Sequence, residues 1–187
     1  MMDASTKALF TTYTQDEISK LLSYGSQEKE KLSDAMERLL QVKDKIRLFD
    51  GIDDRYLPSV VTDVNFVQYK AGQAIIKQGD TSQELFLILR GECNIYVGKE
   101  KIGSVKAGQV LGEVAGIFKK KRNATIIALK ANTMALSFSI NEKNLANHAL
   151  QFAGLYKNLA KELSLKLEEI NVKYTTQCNI RSDDILV

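Results

Sequence analysis

Apolar spacing divides the chain into three textures. Up to residue 44, apolar positions recur every three or four residues among charges, the period of helices with one buried face. Thr14 followed by Glu17 fits a capping box, in which a hydroxyl and a carboxylate cover orphan amides at a helix start. Ile18, Leu21 and Leu22 form the first apolar face, and Gly25-Ser26 breaks it. Ser26 then caps a second helix whose face is Leu32, Met36, Leu39, Leu40 and Val42. A short amphipathic helix is marginal alone, so this one must dock on the chain's own core or on a partner.

From Lys45 the period shortens towards two. KIRLFDGIDDRYLPSVV reads as a short apolar segment, a turn at Asp50-Gly51 and a small helix with the single proline, Pro58, in its first turn. Strand-like runs follow: Val64 to Tyr69, Ala74 to Ile76, Glu84 to Arg90, the alternating Cys93, Ile95 and Val97, then Ile102 to Val105 and Thr133 to Ile140. Glycine punctuates most of them, at Gly72, Gly79, Gly91, Gly98 and Gly108. Many short strands separated in this way predict an α+β fold with an antiparallel β jelly-roll barrel. Amino-terminal helices and a long carboxy-terminal helix flank it.

Past Asn141, a helix-capping residue, the period lengthens again to about Thr175. Phe152, Tyr156, Leu159, Leu163, Leu167, Ile170 and Tyr174 follow a near-heptad seam, with Leu165 and Val172 off it. That pattern fits either a helix packed wholly on its own barrel, or one face on the barrel and a second against a twin helix, a homodimer through the segment from Phe152 to Tyr174. The expected organisation is a helical extension at 1–44, a β-barrel at 45–140, a hinge and long helices at 141–175, and a flexible tail at 176–187.

Composition narrows the class. A chain of 187 residues with 44% hydrophobic and 26% charged residues suits one soluble domain with an appended element. No apolar run approaches the ~20 residues of a membrane helix, so no span is expected. The first residues do not read as a signal peptide. Cys93 and Cys178 lie far apart, which fits a reducing, cytoplasmic setting. The net charge of +3 is local: without Lys119, Lys120, Lys121 and Arg122 the chain would carry −1. Such a run is either a solvated patch or an attraction for an anion.

That run belongs to LGEVAGIFKKKRNATIIA, residues 111–128, where the candidate chemistry gathers. Glu113 and Arg122 stand nine positions apart among small residues. A guanidinium is a permanently charged fork suited to phosphate oxygens, whereas a carboxylate only accepts and so selects a hydroxyl. The plain alternative is that the two pair with each other; an exposed pair contributes only ~0–1 kcal/mol.

The order of elements, with AGQAIIKQGD, LFLILRGECNIYV and AGQVLGEVA, resembles the cyclic nucleotide-binding domain found in kinase regulatory subunits, nucleotide-gated channels and the bacterial catabolite activator. The likeness covers roughly residues 45–174. It implies that Glu113 accepts the ribose 2′-hydroxyl and that Arg122 holds the exocyclic phosphate oxygens. Backbone amides around Gly112, Val114, Ala115, Asn123 and Ala124 complete the implied cradle. The implied ligand is cAMP or cGMP, and no cofactor or metal is expected. Lys121 replaces a proline common in the family, and Asn123 leaves base choice open. The activator's adenine-contacting hydroxyl pair falls at Lys166 and Leu167, of which Leu167 is a candidate base cap.

Other classes fit less well. A metal-dependent barrel enzyme needs several histidines, and this chain has only His148. Cys93 has no evident base partner, so no catalytic residue is assigned. Too few residues follow Thr175 for a winged helix-turn-helix, so no DNA-binding domain is expected. The expectation is a sensor module that repacks its helices on binding ligand and signals to an effector, of unknown identity, in trans. The alternative is a degenerate domain serving as a ligand-independent dimerisation or docking adaptor.

Overall fold

The computed structural model describes residues 32–183, with side chains at 34–172 and 175. The helix signals expected at Thr14, Glu17, Ile18, Leu21, Leu22, Gly25 and Ser26 lie outside the described residues, as do the side chains of Leu32 and Tyr174. Helix α1, Leu32–Val42, buries Ala35 and Leu39 on one face, four positions apart. Both join the core that includes Leu87, Leu136 and Phe138, so this helix docks on the chain's own body. Two 3-10 turns, Lys43–Lys45 and Arg47–Phe49, follow and bring Leu48 and Phe49 into the same core. Helix α2, Leu57–Val60, carries Pro58 in its first turn, where a missing amide costs nothing.

Eight strands come next: β1 Val61–Tyr69, β2 Ala74–Ile76, β3 Leu85–Arg90, β4 Glu92–Val97, β5 Glu100–Lys106, β6 Val110–Leu111, β7 Thr125–Ala128 and β8 Thr133–Ile140. Between β6 and β7 lies the short helix α3, Glu113–Phe118. The strands form two four-stranded antiparallel sheets, ordered β1-β8-β3-β6 and β2-β7-β4-β5. The α+β class holds, but the expected closed barrel does not. The sheet edges are β1 and β6 in one and β2 and β5 in the other, and among the described residues no ladder joins the two sheets.

Strand β3 explains the layering. All of Leu85 to Leu89 is buried, which a one-sided strand cannot achieve. Leu85, Leu87 and Leu89 face the helices together with Phe138 and Phe152, while Phe86 and Ile88 face the second sheet with Cys93 and Ile126. The first sheet is therefore sandwiched. The expected alternation of β4 also fails, because Asn94 is buried beside Cys93 while Val97 is exposed. Burial pushes the Cys93 thiol up to about 11.

The carboxy-terminal region differs most from expectation. A 3-10 turn at Glu142–Asn144 leads into one unbroken helix, α4, Ala149–Asp183, instead of two helices and a tail. It continues past Thr175, whose hydroxyl donates back to the Asn171 carbonyl at 2.9 Å. No glycine or proline after Thr175 supplies a stop. The first turns bury Phe152, Leu155 and Leu159, and Asn158 donates to the carbonyls of Leu48 at 3.1 Å and Asp50 at 2.9 Å. Farther along, Leu163, Leu167, Ile170 and Val172 are exposed. The predicted seam is thus core at its start and surface beyond Leu159. No helix of the described residues is long and apolar enough to cross a membrane.

Candidate functional site

Arg122 is the better-anchored half of the site. Its backbone amide donates to the Asp80 carbonyl at 2.8 Å, and its carbonyl accepts from the Gly79 amide at 2.8 Å. The turn that ends β2 thus fixes the position of Arg122, and Gly79 at φ +89° supplies the left-handed conformation the turn needs. Next to it, the Thr125 hydroxyl accepts from the Gln78 amide at 3.0 Å.

The guanidinium itself is 3% exposed as a residue and is held from several sides. Its Nε donates to the Ser82 hydroxyl at 3.2 Å and Nη1 to the Gly112 carbonyl at 3.3 Å. Nη2 donates to the Glu84 carbonyl at 2.7 Å and lies 3.4 Å from the Glu84 carboxylate. The charge also sits 5.7 Å from the centre of the Phe86 ring. Burial pulls the Arg122 pKa down, and the negative charges of Glu84, Asp80 and Glu113 oppose that pull. The group remains a cation at neutral pH.

Gly112 allows this packing. Its φ is +81°, and a Cβ there would meet the Arg122 guanidinium and stand 3.0 Å from the Glu84 carbonyl. Only a residue without a side chain lets the arginine lie across the start of α3. Gly112 also accepts the Gly116 amide at 2.9 Å, closing the first turn of that helix.

Glu113 is 9% exposed at the start of α3, but its carboxylate does not pair with Arg122. It pairs instead with Lys166, on α4, whose ammonium also donates to the Val110 carbonyl. The two partners were expected on opposite functions of the site, with Lys166 at a base-contacting position. A further tie lies one turn along the helix, where Gln109 donates to Glu169 at 3.3 Å.

Of the other predicted site residues, Ala115 and Ala124 are buried, while Val114 and Asn123 are exposed. Leu167 is 58% exposed, beside Lys166 on the helix. In the basic run, Lys119 adopts φ +53°, donates to the Gly116 carbonyl at 2.8 Å and lies 3.6 Å from Glu142; Lys120 and Lys121 are exposed. His148 packs its ring against Tyr56, 5.4 Å between centres, away from these groups. Among the described residues no cluster of three or more His, Cys, Asp or Glu side chains could hold a metal ion.

Sequence reasoning missed Ser82 and Glu84 as partners of Arg122. They lie 40 and 38 residues earlier, and only the pairing of the 78–80 turn with Arg122 brings them in. It also missed Val110, whose contribution is a backbone carbonyl and so leaves no mark in side-chain identity.

Residues 66–144 match the family model described as the cyclic nucleotide-binding domain, and they form a domain of that family. The chain is similar to the cGMP-dependent protein kinase of Plasmodium berghei (strain Anka), 28% identical over 145 residues, or 77% of this chain and 17% of that one. It is likewise similar to the cyclic nucleotide-gated channel beta-3 of Mus musculus, 25% identical over 141 residues, or 74% of this chain and 20% of that one. It therefore spans a fifth or less of the length of these curated relatives. A solved cyclic nucleotide-binding domain from Methylobacillus flagellatus KT shares the fold, with a TM-score of 0.58 at 24% identity, covering 76% of this chain and 83% of that one.

Proposed function

We propose that the chain is a cyclic nucleotide receptor, regulatory and not catalytic, that takes cAMP or cGMP at the segment 112–124. The supporting observation is the buried Arg122 guanidinium, whose hydrogen-bonding partners are mostly neutral carbonyls and a hydroxyl. A cation held in this way retains charge for an incoming phosphodiester, which a fully matched ion pair would not. Glu113 is the acceptor for the ribose hydroxyl, and the backbone around Gly112, Val114, Ala115, Asn123 and Ala124 forms the rest of the cradle. The base meets the helix turn that carries Leu167. Ligand entry draws α3 inward and lets α4 repack, and an effector in trans responds.

Calorimetric titration with cAMP and with cGMP tests this reading. Wild-type protein should bind at least one of them, and Arg122→Ala should bind ~10- to 100-fold more weakly, since a lost charged hydrogen bond is worth ~1.5–3 kcal/mol. No heat and no melting shift with either nucleotide would leave the adaptor reading in its place. That second reading draws support from Lys166, which already engages the Glu113 carboxylate.

The exposed apolar positions Leu163, Leu167 and Ile170, spaced four and three apart, support a homodimer through α4. Light scattering of Leu163→Asp should give a smaller mass than wild type. Unchanged mass in a folded variant removes this seam as an interface.

A further inference from the structure

We infer that Lys166 is a built-in competitor for the ligand's hydroxyl, an autoinhibitory latch that ties α4 to the cradle and must let go when nucleotide enters. The inference rests on the receptor reading of Glu113. Lys166 comes from a different part of the chain, 53 residues after Glu113, and its ammonium reaches both the Glu113 Oε1 and the Val110 carbonyl. The side chains are 21% and 12% exposed, so the pair is largely shielded from water and screened less than a surface bridge. An ammonium donates the same kind of hydrogen bond that a ribose hydroxyl would, and it carries a full charge as well. A hydroxyl aimed at Oε1 therefore has to displace it.

The displaced lysine has a place to go. Glu162 stands four residues earlier on α4, the orientation in which a helical Glu–Lys pair is favourable. Glu162 is 9% exposed, already feels the charge of Lys166, and is shared with Arg47 at 3.5 Å. Lys166 thus lies between two carboxylates, one in the cradle and one on its own helix. In the latched arrangement the Gln109–Glu169 contact at 3.3 Å reinforces the hold of the helix on the β5–β6 turn. Ligand binding moves the lysine from the cradle carboxylate to the helical one and leaves only the weaker Gln109 contact. That is a two-state element biased by the ligand's differential demand for Glu113.

The test compares wild type with Lys166→Met, which keeps most of the stem and removes the ammonium. Titration with cAMP and cGMP should show tighter binding by the variant, by about tenfold for a partner-charged hydrogen bond. Hydrogen exchange without nucleotide should show lower protection of the amides at 163–170 in the variant. Weaker binding by Lys166→Met overturns the latch, because the lysine would then be a ligand contact or a source of general attraction for the anion. Equal affinities with unchanged exchange also overturn it while leaving the receptor reading intact. If neither protein binds either nucleotide, the receptor reading fails and the competition fails with it.

Discussion

The arginine and glutamate sides of the cradle are held by different parts of the molecule. Arg122 is fixed by the sheets: the 78–80 turn grips its backbone, and carbonyls of residues 84 and 112 receive its guanidinium. Glu113 reaches out of the sheets to a side chain on α4. One side is a property of the scaffold, while the other depends on where a helix sits. The Arg122 side is thus built into the sheets, while the Glu113 side is coupled to the helix packed beside them.

The sharpest way to break that contrast is on the scaffold side. Arg122→Ala should lower unfolding free energy by ~3–5 kcal/mol in chemical denaturation, because buried carbonyls lose their donor in addition to the lost contacts. A loss below ~1 kcal/mol would mean that the arginine is not built into the sheets. Gly112→Ala comes next, at ~2–3 kcal/mol, combining a positive φ with a Cβ pressed on the guanidinium. It should also weaken nucleotide binding by displacing Arg122, and wild-type thermal stability in this variant would contradict the packing described.

On the helix side the effects should be smaller. Glu113→Gln keeps a hydrogen-bond acceptor but removes the charge from a shielded pair, so stability should fall by ~1–2 kcal/mol, read from the urea midpoint. Binding should suffer more than stability. Equal loss of stability from Glu113→Gln and Arg122→Ala would erase the distinction between the two sides.

The smallest expected effect concerns pH. Burial raises the Glu162 pKa in the folded state, with Arg47 and Lys166 opposing the rise and Asp50 and Glu113 adding to it. Above its ordinary value of 4.5 the unfolded chain releases this proton first, so the folded state binds more protons and stability falls as pH climbs to the raised value. Below 4.5 the group makes no such difference. Glu162→Gln should therefore gain on wild type in melting temperature between pH 4 and pH 7. A difference that stays constant or narrows over that range contradicts the burial effect.

The sequence made much of the scaffold side legible. LFLIL, residues 85–89, reads as a strand because its five positions are all apolar and β-compatible, and Gly79 marks the turn that follows β2. The two-residue β6 is too short to produce any period, and closure of a barrel depends on edge hydrogen bonds that leave no trace in composition. Arg122 could be chosen from its charge among small residues, but Ser82 and Glu84 could not, since their role is set by a fold that brings a distant turn alongside. Lys166 was visible as a departure from the family's base-contacting hydroxyls. Its actual partner depends on the angle at which α4 crosses the sheets, and side-chain spacing along one helix does not encode that angle.

The length of α4 gives the pin at Asn158 a mechanical meaning. That side chain fastens the helix to the carbonyls of Leu48 and Asp50 near its beginning, and the helix continues to Asp183. At ~1.5 Å per residue the helix beyond the pin is roughly 37 Å long. Pivoting it by ~10° swings the far end by about 6 Å, more than one helical pitch. A displacement of an ångström or so where Lys166 meets the cradle is thus geared up severalfold at the tip. The fulcrum lies in the core, the short arm ends at the Lys166–Glu113 contact, and the long arm runs on to Asp183.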